Sequence, residues 1–318
     1  MGHQGDADVF EGIAGHRRIR LLLASQMARG RLSHAYLLTG ETGLGKTEVA
    51  RRMAAAVLPE AALRRHPDYW EDDRRRSISI DEVRLLPDRQ PEFHQQSLQA
   101  FLSLKPALGS RRVALITNVG RLKDEVQGIL LKTLEEPHPG RVILLTSPNA
   151  SPFVVLPTIV SRCQRLAFQP VADEEIESLL ETEGLAREHA ADLARLARGR
   201  PGWALQAARD PALLERHRHW AARLGEVLAG DRSVALRLAA ELDQAGSAWR
   251  TTDRTEEDPI LVAIASWQLE LRRRMMGGSD RGRWARLIER SFDTLGHHEQ
   301  NVSPRLALEC FLLASRAA

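Results

Sequence analysis

The stretch TGETGLGKTE, Thr39–Glu48, limits what this chain can fold into more than any other. Gly40, four further residues and then Gly45-Lys46-Thr47 spell the phosphate-loop pattern G-x-x-x-x-G-K-[ST]. Such a loop works between a buried strand and a helix, where backbone N–H groups and the helix N-terminus converge on one anion. Both neighbours are present. HAYLLTG (34–40) is an apolar run that ends at the loop, and KTEVARRMAAAVL (46–58) has amphipathic helical spacing. The pattern therefore predicts an α/β fold with a nucleotide, ATP or ADP, held by Gly40, Glu41, Thr42, Gly43, Leu44, Gly45, Lys46 and Thr47. Lys46 would reach the β- and γ-phosphates, and Thr47 would place its hydroxyl on Mg²⁺.

The alternative is a glycine-rich strand-to-helix turn with no ligand, and composition counts against it. The basic residues are nearly all arginine, and the only lysines are Lys46, Lys105, Lys123 and Lys132. A compact ammonium on a flexible stem suits a phosphate loop better than a planar guanidinium does.

Two halves read differently. Up to about Pro170, RRVALIT (111–117), RVILLTS (141–147) and CQRLAFQ (163–169) join 34–40 as strands buried on both faces. Helical patterns separate them. One is DEVQGILLKTLEE (124–136), closed by Pro137 and a turn at Gly140; another begins near Ser79 and Glu82, which fit a capping box, and is broken by Pro87 and Pro91. This alternation predicts a parallel sheet covered on both sides. Beyond Pro170 strand patterns vanish. Short helices are expected over 173–184, 187–199 and 202–210, with Asp173 capping the first and Gly184 and Gly199 ending the first two. Longer ones follow over 211–229, 232–243, 259–274, 283–295 and 304–316, with 244–258 as a flexible loop. Five of the six tryptophans lie beyond residue 200, where they are expected to pack helices.

Bulk properties bound the rest. The 318 residues are 43% hydrophobic, which supports real cores, and the net charge of +3 permits nucleic acid without arguing for it. Two distant cysteines, Cys163 and Cys310, make no disulfide framework and no four-cysteine zinc site. No signal-peptide or membrane-spanning pattern occurs, so the expectation is a cytoplasmic protein with no membrane partner.

Hydrolysis asks for more than a loop. A second strand should end in a carboxylate that anchors Mg²⁺, with a group beside it that orients water. Here RRVALITNVGRL ends in Thr117, Asn118, Val119 and Gly120. Asp124 and Glu125 come later, in a first helical turn where acids are favoured anyway. Thr117 and Asn118 could still hydrogen-bond a water on the metal. The residues thus point to binding with little or no turnover.

Several segments together resemble one family, the bacterial clamp-loader AAA+ subunits of DNA polymerase III. They are IAGHRRIRLLLASQMARGRLSHAYLLTGETGLGKTEVAR (13–51), HPDYW (66–70), ILLKTLEEP (129–137), LPTIVSRCQRLAF (156–168) and NVSPRLALECFLL (301–313). The resemblance implies a RecA-like AAA+ core with a parallel sheet over 1–169, a small helical lid over 170–209 and an all-α collar for oligomerisation over 210–318. It further implies a five-subunit ring, with clamp-loader ATPase subunits and a delta subunit as partners, that places a sliding clamp on primed DNA. ATP lies between neighbours in such a ring and is completed by an arginine in trans. Arg162 of SRC matches that arginine, with Ser161 and Cys163 as packing and positioning residues. Thr146 matches a polar sensor beside the γ-phosphate; a second sensor, normally arginine, falls on Gly202 in GRPGWAL (199–205), with Arg200 out of register. Many relatives carry a four-cysteine zinc module before HPD; here PEAALRR (59–65) holds no cysteine, so no zinc is expected and His66 reads as a packed or hydrogen-bonding histidine. The implied role is the rigid, non-hydrolysing member of the ring. Two other readings remain open at this point: an ATP-hydrolysing motor subunit of the same ring, and a self-contained P-loop kinase.

Overall fold

The computed structural model describes residues 9–59, 62–72, 97–122, 124–152, 154–251, 258–277, 280–299 and 303–317. The expected capping box at Ser79 and Glu82 and the break at Pro87 and Pro91 lie outside them. The chain divides into two compact units, Met1–Leu205 and Gln206–Ala318.

The first unit is built on five parallel strands: β1 (Ala35–Thr39), β2 (Tyr69–Asp72), β3 (Arg112–Ile116), β4 (Arg141–Ser147) and β5 (Gln164–Ala167), in the order β2-β3-β4-β1-β5. Every residue of β1, β3 and β4 is buried, which is why these strands read as unbroken apolar runs. Alternate residues serve opposite faces. Leu37, Ile116, Ile143 and Leu145 meet α3 (Leu98–Ser103), α4 (Asp124–Glu135) and α5 (Pro157–Arg162). Tyr36, Leu38, Leu115 and Leu144 meet α1 (Arg17–Ala28) and α2 (Lys46–Val57) through Leu23, Val49, Ala50 and Met53. Thr39 pairs with Ser147 and Ile116 with Leu145, so the C-terminal ends of β1, β3 and β4 form one edge, where open α/β sheets bind ligands.

β2 was not among the expected strands. Its sequence, YWED, is short and only partly buried, and so lacks an apolar signature. Just before β2, Asp68 is fully buried and accepts the N–H groups of Ala107 (2.7 Å) and Leu108 (2.8 Å). Arg112, the first residue of β3, pairs with it at 3.3 Å and donates to the carbonyls of Lys105 and Phe101. Arg141, the first residue of β4, donates to the carbonyls of Leu102, Leu104 and Pro139. These charges fasten the turn after α3 to the N-terminal edge of the sheet, opposite the ligand edge.

Three helices follow: α6 (Asp173–Thr182), α7 (Arg187–Ala197) and α8 (Pro201–Arg209). Gly184 and Gly199 stand just past the first two with φ of 93° and 75°, as expected of helix stops. The expected cap at Asp173 is corrected. Ala172 holds the cap position without a side-chain bond, and Asp173 joins Glu174 and Glu175 in the first turn, where carboxylates face the positive end of the helix dipole.

The second unit consists, over the described residues, of α9 (Pro211–Ala229), α10 (Arg232–Thr251), α11 (Pro259–Gly277), α12 (Arg281–Glu299) and α13 (Pro304–Ala317). Trp267 is fully buried at its centre, stacks on Phe311 with ring centroids 5.5 Å apart, and donates its indole N–H to the Trp220 carbonyl at 2.9 Å. The loop expected over 244–258 is corrected over its first half, because α10 runs on to Thr251. Leu242 and Gly246 are buried one turn apart, so the helical face continues through polar sequence. Among the described residues no helix is long and apolar enough to cross a membrane.

Candidate nucleotide-binding site

The expected loop residues, Gly40 to Thr47, form the connection from β1 into α2. Gly43 and Gly45 take φ of 88° and 89°, a region that residues with a Cβ rarely enter, which is the physical need for glycine here. Lys46 is buried, and its ammonium donates to the carbonyls of Gly40 and Glu41, the latter at 2.7 Å. Burial lowers its pKa to about 8 against the opposing pull of the Glu41 carboxylate, so it stays a cation at neutral pH.

Two other segments of the first unit touch the loop. The N–H of Gly202, at the start of α8, donates to the Gly43 carbonyl at 2.8 Å. A Cβ at position 202 would lie 3.0 Å from that oxygen, so the residue in the place of an expected sensor arginine is one that lets two backbones meet. Arg200, two residues before it, donates its Nε to the Ala197 carbonyl at 3.0 Å and lays its guanidinium over the Trp203 ring. His16 places Nε2 2.9 Å from the Leu44 carbonyl while its ring rests against Phe168, 4.4 Å between centroids. Burial lowers its pKa. Gly15 beside it donates its N–H to the Glu175 carboxylate of α6 at 3.0 Å. His16 and Glu175 were missed by sequence reasoning. The one local signal was Gly15-His16 directly ahead of α1, with His16 left-handed at φ 54°.

At the β3 end, Thr117 and Asn118 are each tied to a neighbouring strand. The Thr117 hydroxyl donates to the Asp72 carbonyl at 3.0 Å. Asn118 is left-handed at φ 53° and donates its N–H to the hydroxyl of buried Thr146 at 2.8 Å. The expected sensor Thr146 therefore sits at the β3 end and holds it. Arg121, also missed, folds back so that Nε and Nη2 donate to the Thr117 carbonyl at 3.0 and 2.6 Å. The acid at this edge, Asp72, is buried at the end of β2, and β3 and β4 stand between it and β1.

Arg162 ends α5, away from the loop in sequence and a third exposed. Its Nη2 pairs with the Glu135 carboxylate of α4 at 2.6 Å and Nη1 donates to the Thr158 carbonyl at 3.1 Å. Ser161 is exposed, donates to the Thr158 carbonyl at 3.0 Å and accepts from Arg162 Nη1 at 3.4 Å, while Cys163 lies against the core. Burial pushes the Cys163 thiol up to about 12. Iodoacetamide at pH 8 is accordingly expected to label exposed Cys310 and spare Cys163 in the folded chain, read by peptide mass. His66 is buried and accepts the Asp68 N–H on Nδ1 at 3.0 Å, a hydrogen-bonding histidine as expected.

A five-stranded parallel sheet with a phosphate loop after β1, one strand in from the β5 edge, and helices on both faces defines an AAA+-type P-loop core. A DNA polymerase III gamma subunit-related protein from Thermotoga maritima shares this fold, with a TM-score of 0.50, 21% identity, and coverage of 93% of this chain and 98% of that one. The family model described as "DNA polymerase III, delta subunit" matches residues 15–172. The chain is 31% identical to DNA polymerase III subunit tau of Escherichia coli over 61% of its own length and 31% of that protein's. It is 33% identical to DNA polymerase III subunit delta' of Pseudomonas aeruginosa over 44% of each. Residues 15–172 belong to the DNA polymerase III delta'/tau-gamma clamp-loader family. The chain spans less than half the length of these two relatives.

Proposed function

We propose that this chain is the delta-prime type of clamp-loader subunit: a member of the five-subunit ring that grips nucleotide, does not turn it over, and completes a neighbour's ATP site with Arg162. In this reading its partners are the ATPase subunits and the delta subunit, and it reaches the sliding clamp and primed DNA through the complex. One observation carries it: β3 ends without a carboxylate, running from Ile116 into Thr117 and Asn118. In-line attack on a γ-phosphate draws on carboxylates that anchor the metal and orient the water, and this strand end offers none. Gly202 in place of a lid arginine points the same way.

The motor-subunit reading draws on the intact loop and on the similarity to tau. Turnover separates the two. The isolated chain is expected to release phosphate from ATP no faster than its own Lys46→Ala variant. Steady turnover that Lys46→Ala abolishes would make it a motor. Family membership argues against a self-contained kinase.

A further inference from the structure

Helix α1 packs only one of its sides. Leu23 is fully buried, and Ile19, Ala24 and Met27 lie against the same core. The opposite side faces solvent. Leu21 is 59% exposed and Leu22 40%, side by side near the middle of the helix. Arg17 and Arg18 stand exposed one turn before them; Arg29, the C-terminal cap, and Arg31 stand exposed beyond them. The spacing Arg18, Leu22, Ser25, Arg29 is that of one helical face. Among the described residues, Arg17, Arg18, Arg29 and Arg31 form no ion pair. Charge is segregated here. The whole chain holds 45 bases and 42 acids, yet residues 12–40 contain five arginines and no acid. The outcome is an apolar centre with a positive rim and no counter-charge in its own segment.

Other occupants of a positive surface fit it less well. Nucleic acid is served by basic residues that track a backbone and by aromatic rings that stack on bases, and the centre of this face is aliphatic. A membrane-surface helix keeps its wide apolar face for lipid, whereas α1 buries that face in the core. A second copy would have to bring acids. Its helix α6 has them in Asp173, Glu174 and Glu181, but Ile176 and Leu180 beside them are fully buried, so α6 brings charge with little to seat on the leucines.

We propose that the outer face of α1 docks an acidic amphipathic helix of a partner protein. Its apolar stripe lies over Leu21 and Leu22, and its carboxylates meet Arg17 and Arg18 at one end and Arg29 and Arg31 at the other. An apolar centre inside a charged rim divides the work of an interface: the leucines supply buried area, and the arginines set approach and register. The 12 residues of α1 make a seat about 18 Å long, which spans about three turns of a partner helix.

Fluorescence anisotropy on the full chain tests this with a labelled helical peptide of about 16 residues, leucines at i, i+3, i+4 and i+7 and glutamates at both ends. The chain is expected to bind it and to reject the same peptide with lysine in place of glutamate. The double variants Leu21→Ser/Leu22→Ser and Arg18→Glu/Arg29→Glu change exposed positions and are expected to keep the wild-type melting temperature. Each is expected to bind the peptide about tenfold more weakly. High salt is expected to weaken the wild type and not the arginine variant. Failure of the wild type to bind, or binding that neither variant weakens, overturns the proposal. A dimer in sedimentation equilibrium that the leucine variant dissolves makes the occupant a second copy instead. Binding of single-stranded DNA or phosphatidylserine vesicles that only the arginine variant loses, without binding of the peptide, makes the face a polyanion surface instead.

Discussion

Arg162→Ala is expected to leave the ring assembled and to slow ATP hydrolysis at the neighbouring site by about 10³-fold, the lower end of what an arginine finger contributes. The size of the effect follows from timing. As the γ-phosphoryl group transfers, charge spreads over its equatorial oxygens, and a guanidinium fixed nearby meets that charge without reorganising. Assembly is spared because Arg162 ends a helix at the surface and its partner Glu135 is itself about half exposed, a kind of ion pair worth only about 0–1 kcal/mol. Arg162→Lys is expected to recover only part of the rate, since an ammonium cannot present the paired donors of a guanidinium. The measurement is DNA-stimulated phosphate release and clamp loading by the reconstituted complex. Wild-type rates from an assembled Arg162→Ala complex would remove the finger assignment and leave the nucleotide site untouched.

What the sequence disclosed about this site was what is local. The loop was legible because two glycines, a lysine and a threonine must stand at set spacing between strand and helix. The β1, β3 and β4 runs were legible because strands buried on both faces have no polar positions to interrupt them. The lack of a strand-end acid could be read directly from Thr117 and Asn118. The remainder depends on residues that fold together from far apart. Gly202 reaches Gly43 across more than half of the first unit, and nothing at either position announces the other. Arg121 looked like one more arginine in an arginine-rich chain until the backbone turned at Asn118 and brought it back onto Thr117. Helix α10 passed for a loop where glycine and serine lowered its local propensity, which the buried positions Leu242 and Gly246 override. In each case tertiary packing decided between local alternatives that the sequence left close in energy.

The largest loss of stability is expected at Asp68, far from any chemistry. Its carboxylate is fully buried, accepts two backbone N–H groups and pairs with Arg112, itself nearly buried. Asp68→Ala removes all three contacts at once and leaves the nearly buried Arg112 guanidinium without its counter-charge. Breaking a buried pair from one side in this way costs about 3–5 kcal/mol. Asp68→Asn keeps the shape and one acceptor, but it turns an N–H₂ toward a donor, so an intermediate loss is expected. The sign of the pH dependence follows from the same contacts. Burial alone would raise the Asp68 pKa, but the Leu108 and Ala107 amides, then Arg112 and His66, outweigh it and hold the carboxyl below its ordinary range. A carboxylate depressed in the folded state contributes stability that is complete above its unfolded pKa, about 3.9, and is lost as pH falls through the folded value. Urea unfolding of the wild type should therefore show a stability difference over Asp68→Ala that is constant near neutrality and narrows as pH drops below about 4. The loop after α3 should loosen first, because Asp68 and Arg141 hold its backbone to the sheet. Hydrogen exchange at the Ala107 and Leu108 amides reads that directly. Wild-type protection at these two amides in Asp68→Ala would show that the loop is fastened by something other than this carboxylate.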